Sequence, residues 1–407
     1  MVRSHRRLTL SLVSLLLAAC GVSGPGGSTT IPTATGGRSE TTPPLATAPQ
    51  TAAATVPPSS PPMPLLPALP INELDAPTTG RLQAALVAML ARGRPDAIAA
   101  LITADGVWSG AAGVDGPDGR IAATGDLFNG ASISKPILAA LVLQLDQDQI
   151  MDLDAPLATY LGDLSVDANG ATVRNALAMR SGIGETPAAA LEEARADCGK
   201  AWTRAETIPS IPAPHAEAGA AFEYSNPTYK LLGLAAEHAT GSSLGDALDK
   251  RMFEPVGLDR ILLQGPDRPA PKPWALPIAG HGGAIPLEHF GVGETLPCLG
   301  VTTFSFISAI AGDAPSLAAW VWALFGGRLI DRDHLAAMTT VTSGSWGLGI
   351  ERLQGLELAF GMKGHQEGYA SFIVVLPERQ VVAVLFINDG DADIESEIHE
   401  LVNALDG

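Results

Sequence analysis

Ser132-Ile133-Ser134-Lys135 sets a hydroxyl three residues ahead of a primary amine. A serine hydroxyl is a poor nucleophile until a neighbouring base takes its proton. Residues three apart on a helix share a face, so Lys135 can reach the oxygen of Ser132. To serve as base the amine must be neutral, and burial in a low-dielectric site favours that form. The following stretch supplies the burial, because Ile133 to Ile150 reads as a helix apolar nearly all round. Pro136 lacks a backbone N–H and is tolerated only in a first helical turn, which places the helix start close to Ser132. The oxygen would then sit at the positive end of the helix dipole. Taken alone, the four residues are a weak signal, and a helix cap with a solvated lysine is the commoner meaning of such a pattern.

A second element follows downstream. Tyr224-Ser225-Asn226 opens a helix running through Leu231, Leu232 and Leu234. Tyr-x-Asn supplies a phenol for moving protons and an amide for holding a substrate carbonyl or the lysine. Each motif occurs once, and in this order.

With both elements in place, Phe128 to Pro136 resembles the active-site helix of class C β-lactamases, D,D-carboxypeptidases and related esterases. Asp152-Leu153-Asp154-Ala155-Pro156, Arg180-Ser181-Gly182-Ile183, Phe222 to Lys230 and Phe253 to Leu258 resemble that family's following segments, so the resemblance covers about residues 78 to 405. It implies a β-lactamase/transpeptidase-like α/β fold: an antiparallel sheet flanked by helices, with an inserted mainly helical domain. It also implies acyl transfer by an active-site serine. Ser132 would attack an amide, lactam or ester carbonyl to give an acyl-enzyme, Lys135 and Tyr224 would move protons, and Asn226 would orient substrate. Backbone N–H groups, that of Ser132 included, would form the oxyanion hole. The division of labour between Lys135 and Tyr224 stays open at this point.

The third element departs from the family's Lys-Thr-Gly or His-x-Gly strand. The candidate is Met362-Lys363-Gly364-His365-Gln366-Glu367-Gly368-Tyr369. In an extended chain Lys363 and His365 share a face. Aligning His365 with the family's histidine puts Glu367 at the glycine position, whereas aligning Lys363 with the family's lysine puts His365 there. A cation here would bind a substrate carboxylate, and His365 is the modest favourite over Lys363. No Glu-x-x-Leu-Asn stretch follows Tyr224, which allows slow deacylation. Gly241-Ser242-Ser243-Leu244-Gly245 mimics a nucleophile elbow, but an elbow needs a strand before it and a helix after it. Here a helix ends at Gly241 and Ser242 or Ser243 starts the next. His238 and His281 show no partner spacing and read as surface or structural residues.

Three functions fit these residues: hydrolysis of β-lactam or peptidoglycan-like D,D-peptide amides, a carboxylesterase on small esters, and a catalytically weak cell-envelope homologue that binds similar ligands. Neither a metal nor an organic cofactor is expected, since no His-Glu-x-x-His or Cys-x-x-Cys pattern occurs.

The scaffold that must position these groups can be read from patterning. Arg81 to Arg92 has helical apolar spacing. Ala97 to Leu101, then Gly106-Val107-Trp108 and Ala111-Ala112-Gly113-Val114, read as two antiparallel strands with turns between them. A helix-rich lobe is expected from about 151 to 330, including a core helix with Trp320 and Trp322 that ends at Gly326-Gly327. Strands return at Trp346 to Ile350, Ala359 to Met362, Ser371 to Leu376 and Val381 to Ile387, and Glu395 to Leu405 closes the chain as a helix. A cleft between the sheet and the helical lobe is a favoured place for a ligand.

The N-terminus reads as an export signal over residues 1–19, with Arg3, His5, Arg6 and Arg7 ahead of the apolar run Leu8 to Ala19. That run is too short to span a bilayer. It ends in Leu17-Ala18-Ala19-Cys20, which resembles a bacterial lipobox and implies a lipid on Cys20, hence an exported chain anchored at the outer face of the cell membrane. Arg6-Arg7 leaves the export route open. Residues 20–72 are rich in Pro, Thr, Ser, Gly and Ala and read as a tether, leaving 73–407 as the hydrolase domain. In an oxidising compartment Cys198 and Cys298 read as one disulfide, or else as two separate buried thiols. The 407-residue chain carries a formal charge of −18, which disfavours nucleic acid as partner. A monomer acting on a small-molecule or peptide substrate is expected.

Overall fold

Strand β1 (Asp96–Ile102) is apolar at nearly every position and buried throughout, the pattern of a strand covered on both faces. The computed structural model describes residues 63–115, 119–196, 200, 202–264, 310–342, 344–366 and 368–407, all within one unit spanning 59–407. Cys20, Cys198, Cys298 and His281 lie outside the described residues. In chain order β1 is followed by β2 (Val107–Asp115), β3 (Arg120–Ile121) and β4 (Phe128–Asn129). Next come β5 (Ile261–Leu263), β6 (Ile310–Gly312), β7 (Glu351–Arg352), β8 (Phe360–Gln366), β9 (Tyr369–Leu376) and β10 (Val381–Ile387). Seven of these form one antiparallel sheet in the order β3-β2-β1-β10-β9-β8-β7. Three form a second, small sheet in the order β4-β6-β5.

Side-chain alternation in the central strands divides the interior in two. Ala97, Ala99 and Leu101 of β1, with Ala383 and Leu385 of β10, pack with Leu82, Leu86 and Met89 of α1 (Ala76–Ala91) and with the C-terminal helix, where Ile398, Leu401 and Val402 are buried. Ile98, Ala100 and Ile102, with Val382, Val384 and Phe386, face the other core. That second core holds α2 (Ser134–Gln147), whose residues are buried from Ser134 through Leu143, as its apolar sequence predicts.

The helical lobe contributes α3 (Val173–Leu177), α4 (Ala188–Ala196), α5 (Arg204–Thr207), α6 (Asn226–Thr240) and α7 (Leu244–Leu248). Among the described residues three more α-helices follow: α8 (Ala314–Phe325), α9 (Arg332–Thr339) and α10 (Ile394–Asn403). Helix α8 falls inside the span 151–330, yet it packs on β1 and β10. It is apolar around its whole circumference, with Leu317, Trp320, Val321 and Phe325 all buried, so it requires cover on every side.

Three local readings are revised by the structure. Val107 to Asp115 is one unbroken strand paired along β1, without a turn at Ser109-Gly110. Trp346 to Ile350 is not a strand: the N–H of Gly347 donates to the Ile350 carbonyl (2.9 Å) and Gly349 adopts φ +87°. The buried Trp346, Leu348 and Ile350 mimic a period of two, while the glycines between them let the chain turn. A Cβ at Gly349 would sit 2.3 Å from Cβ of Ala139 on α2. Finally, residues 63–72, inside the expected tether, lie along the domain. The Leu66 N–H donates to the Phe325 carbonyl (3.0 Å), Trp322 Nε1 donates to the Pro67 carbonyl (2.9 Å) and the Val107 N–H donates to the Asn72 carbonyl (2.8 Å). Leu66, buried against this surface, secures the segment.

Candidate active site

Ser132 lies in a single 3-10 turn, Ala131–Ile133, that leads directly into α2. Ala131 adopts φ +46°, the left-handed region that costs a non-glycine residue about 1–3 kcal/mol and persists only where its surroundings enforce it. The surroundings here are explicit. The Gly130 N–H donates to the Ile310 carbonyl (2.8 Å), the Ala131 N–H donates to Asn129 Oδ1 (2.8 Å), and Ser371 Oγ donates to the Gly130 carbonyl (2.9 Å).

One turn on, Lys135 is fully buried and its Nζ donates to Ser132 Oγ at 2.9 Å. The hydroxyls of Ser132 and Tyr224 lie 2.8 Å apart. Burial pushes the Lys135 amine down to about 7, while the charge of Glu185 acts in the opposite direction. Burial also holds the Tyr224 phenol well above its ordinary range, although its bond to Ser132 works the other way. At neutral pH the phenol therefore keeps its proton while the amine is substantially free. An amine free to accept a proton and a phenol that still carries one thus stand on either side of the Ser132 hydroxyl.

Tyr224 and Asn226 come from the start of α6. Ser225 caps that helix by accepting from the Thr228 N–H (3.1 Å), and Pro227 sits in the first turn. The Tyr224 ring stands edge-on against the buried Trp346, with centroids 5.8 Å apart. Trp346 Nε1 and the Tyr229 hydroxyl both donate to the Leu177 carbonyl, so one acceptor fixes two aromatic walls. Asn226 is committed at both ends: Oδ1 accepts from Lys135 Nζ (2.7 Å) and Nδ2 donates to Glu185 (2.9 Å). Of the two roles open to its amide, substrate orientation or support of the lysine, the geometry displays the second.

The third motif is placed differently from either sequence alignment. Alternation along β8 turns Met362 and Gly364 towards the Ser132 turn, and a Cβ at Gly364 would lie 2.3 Å from the Gly130 carbonyl oxygen and 3.1 Å from the Ser132 nitrogen. Lys363 and His365 face the other side of the sheet. Lys363 Nζ pairs with Glu395 of α10 at 2.5 Å, and His365 Nε2 lies 3.5 Å from the Ala392 carbonyl. Neither residue joins the Ser132 group. Gly364 is thus the residue whose lack of a side chain lets β8 approach the Ser132 turn, and the apolar Met362 precedes it by two residues. Glu367, where one alignment put the glycine, lies outside the described residues.

Two further expectations hold. Gly241 ends α6 in the left-handed conformation (φ +64°) and Ser243 caps α7, so the apparent elbow at Ser243 is a helix–helix junction. The His238 ring lies beside Gly162, where an added Cβ would meet it at 2.8 Å. Sequence reading missed Glu185, Gly364, Ser371 and Trp346. Glu185 lies two residues beyond the Ser181-Gly182-Ile183 segment, which is the signal that could have drawn attention to it.

An antiparallel sheet sandwiched by helices, with a serine opening a buried helix and a lysine one turn behind it, defines an active-site serine hydrolase. The chain belongs to the beta-lactamase family, whose model matches residues 82–404. Among solved structures it is similar to a D-stereospecific amidohydrolase from Streptomyces sp., at 25% identity over 79% of this chain and 97% of that one, with a TM-score of 0.65. A D-amino acid amidase from Ochrobactrum anthropi SV3, complexed with D-phenylalanine, matches at 22% identity over 81% and 99% of the two chains, with a TM-score of 0.67. The octameric penicillin-binding protein homologue from Pyrococcus abyssi matches at 19% identity over 80% and 77%, with a TM-score of 0.64.

Proposed function

We propose that this hydrolase cleaves amides through an acyl-enzyme on Ser132, with β-lactam, peptidoglycan-like D,D-peptide and small D-amino acid amides as its substrate class. The observation that carries the reading is the pair of contacts on one oxygen: Ser132 Oγ has Lys135 at 2.9 Å and Tyr224 at 2.8 Å. As Oγ attacks the carbonyl carbon, Lys135 takes its proton. Tyr224 hands its proton to the departing nitrogen and regains one from Lys135, the C–N bond breaks, and an ester to Ser132 remains. Water then attacks that ester and gives a proton to Lys135, the bond from the acyl carbon to Oγ breaks, and Lys135 returns the proton to Oγ as the acid leaves. The Ser132 N–H at the head of α2 is available to the developing oxyanion. Similarity to the D-stereospecific amidohydrolase supports the choice of amide and of D-configured substrates.

A second reading, a carboxylesterase on small esters, draws support from β8. Lys363 and His365 face α10, and Met362 stands on the side of the nucleophile, so a substrate carboxylate is not required. Export and lipid attachment at Cys20 belong to the same proposal and rest on the basic start and the Leu17-Ala18-Ala19-Cys20 sequence. Intact-mass spectrometry after exposure to a labelled penicillin and a p-nitrophenyl ester, alongside ammonia release from D-phenylalanine amide, tests the reading. An adduct that disappears in Ser132→Ala is expected. Adducts on none of these probes, or adducts that persist in Ser132→Ala, would overturn it.

A further inference from the structure

Glu185 stands outside the Ser132–Lys135–Tyr224 group, on the loop that follows α3. Two bonds dock this loop on the start of α6, and a third within the α6 cap links them. The hydroxyls of Ser181 and Thr228 lie 2.7 Å apart, Thr228 Oγ1 donates to Ser225 Oγ (2.9 Å), and Ser225 Oγ donates to the Gly184 carbonyl (3.1 Å). Gly182 at φ +73° makes the tight approach possible, since a Cβ there would lie 2.1 Å from the Ala216 carbonyl oxygen. The loop delivers the exposed Glu185 carboxylate to the first turn of α6, where the helix dipole favours negative charge. Its Oε1 accepts from the Thr186 N–H (2.6 Å), and its Oε2 accepts from both the backbone N–H (3.2 Å) and Nδ2 (2.9 Å) of Asn226.

We propose that Glu185 is a positioning residue for the base: it locks the Asn226 amide with its carbonyl oxygen towards Lys135 and so holds the amine against Ser132. The inference rests on the acyl-enzyme reading only for its kinetic consequence. The flipped amide would set its N–H groups against those of Lys135 and its carbonyl oxygen against the Glu185 carboxylate, two repulsive contacts in place of two bonds. Around Lys135 lie Ser132, Asn226 and the rings of Tyr224 and Tyr229, their centroids 4.8 and 5.9 Å from Nζ. Glu185 is the carboxylate whose charge acts on it. The same carboxylate acts on the buried Lys230, whose Nζ bonds Ser210, and Glu351 acts on Tyr224. Removing the charge of Glu185 thus makes Lys135 easier to deprotonate.

The test uses the full chain labelled with ε-13C-lysine, with the Lys135 resonance assigned through Lys135→Arg, and runs beside acylation by a p-nitrophenyl ester. Glu185→Gln keeps the hydrogen-bond acceptor and loses the charge. The Lys135 titration and the acid limb of acylation should both move down by roughly half to one pH unit, a screened Coulomb interaction across a few ångströms. The plateau rate should fall less than about threefold, since the amide stays locked. Glu185→Ala frees the amide, and the plateau should fall roughly ten- to hundredfold, the cost of a misplaced reacting group. Glu193→Gln, which removes the same charge from the exposed α4, should move neither limb, and thermal melts should show all variants folded. An unchanged Lys135 titration in Glu185→Gln, an unchanged plateau in Glu185→Ala, or an equal shift in Glu193→Gln would overturn the proposal. Failure of the parent chain to acylate, with the titration shift intact, would instead count against the acyl-enzyme reading alone.

Discussion

The Lys135 amine lies 2.9 Å from the Ser132 hydroxyl oxygen and has no exposure to solvent. The two residues share one helical turn, so the distance follows from backbone geometry, whereas the proton affinity of the amine follows from the core that α2 enters. Both conditions are required for the lysine to act as base.

The rate of acylation should accordingly rise with pH through about 7. Below that value Lys135 holds a proton and cannot accept another, and above it the free amine is present. Lys135→Ala should lose roughly 10²- to 10⁴-fold in acylation rate, the usual contribution of a positioned acid–base group. A pH profile of ester acylation under single-turnover conditions checks both. A flat profile between about 5 and 9 would exclude Lys135 as the base.

Tyr224→Phe removes the hydroxyl at 2.8 Å from Ser132 and keeps the ring packed on Trp346. Acylation by amides should fall about 10²-fold, the lower bound for a proton relay, with thermal stability nearly unchanged. Activated esters, whose leaving groups need no proton, should suffer less. Comparing an anilide with a p-nitrophenyl ester reads this difference.

Gly364→Ala puts a Cβ where the Gly130 carbonyl would be 2.3 Å away. Backbone cannot yield as a flexible side chain does, so β8 or the Ser132 turn must shift, at about 1–3 kcal/mol for overpacking. Acylation and melting temperature should drop together. Wild-type acylation in this variant would show that the turn has more room than the structure gives it.

Lys363→Ala and His365→Ala should leave acylation within about twofold, since both side chains lie on the α10 face. Loss of the half-exposed Lys363–Glu395 pair should cost no more than about 1 kcal/mol. Chemical denaturation and acylation assays on both variants check this. A large loss of acylation in either would return that residue to the site.

The parts of the site legible in the sequence are those set by short-range rules. Ser132 and Lys135 are joined by helical spacing, and Tyr224 and Asn226 by the cap at Ser225. Strands β9 and β10 show as apolar runs because both faces are covered. What escaped notice depends on contacts between distant segments. Glu185 reaches Asn226 only because Ser181 and Thr228 clasp the intervening loop. The β8 register depends on which strand residue meets Gly130, and one residue of slip exchanges the faces of Lys363 and Gly364. Trp346 to Ile350 shows that burial on every second residue can belong to a turn as readily as to a strand when glycines separate the apolar side chains.

The left-handed Ala131 carries a last consequence. The turn that presents Ser132 is held by Asn129 beside it, by Ile310 of the small sheet and by Ser371 of the large one. The bond to Asn129 is local, but the other two reach across the fold and would be lost in a chain whose two sheets had come apart. Reactivity at Ser132 is therefore a built-in gauge of folding: a probe that labels this one oxygen counts the molecules in which both sheets are assembled. As the chain is denatured, labelling should vanish in step with the sheets, with no residual reactive fraction.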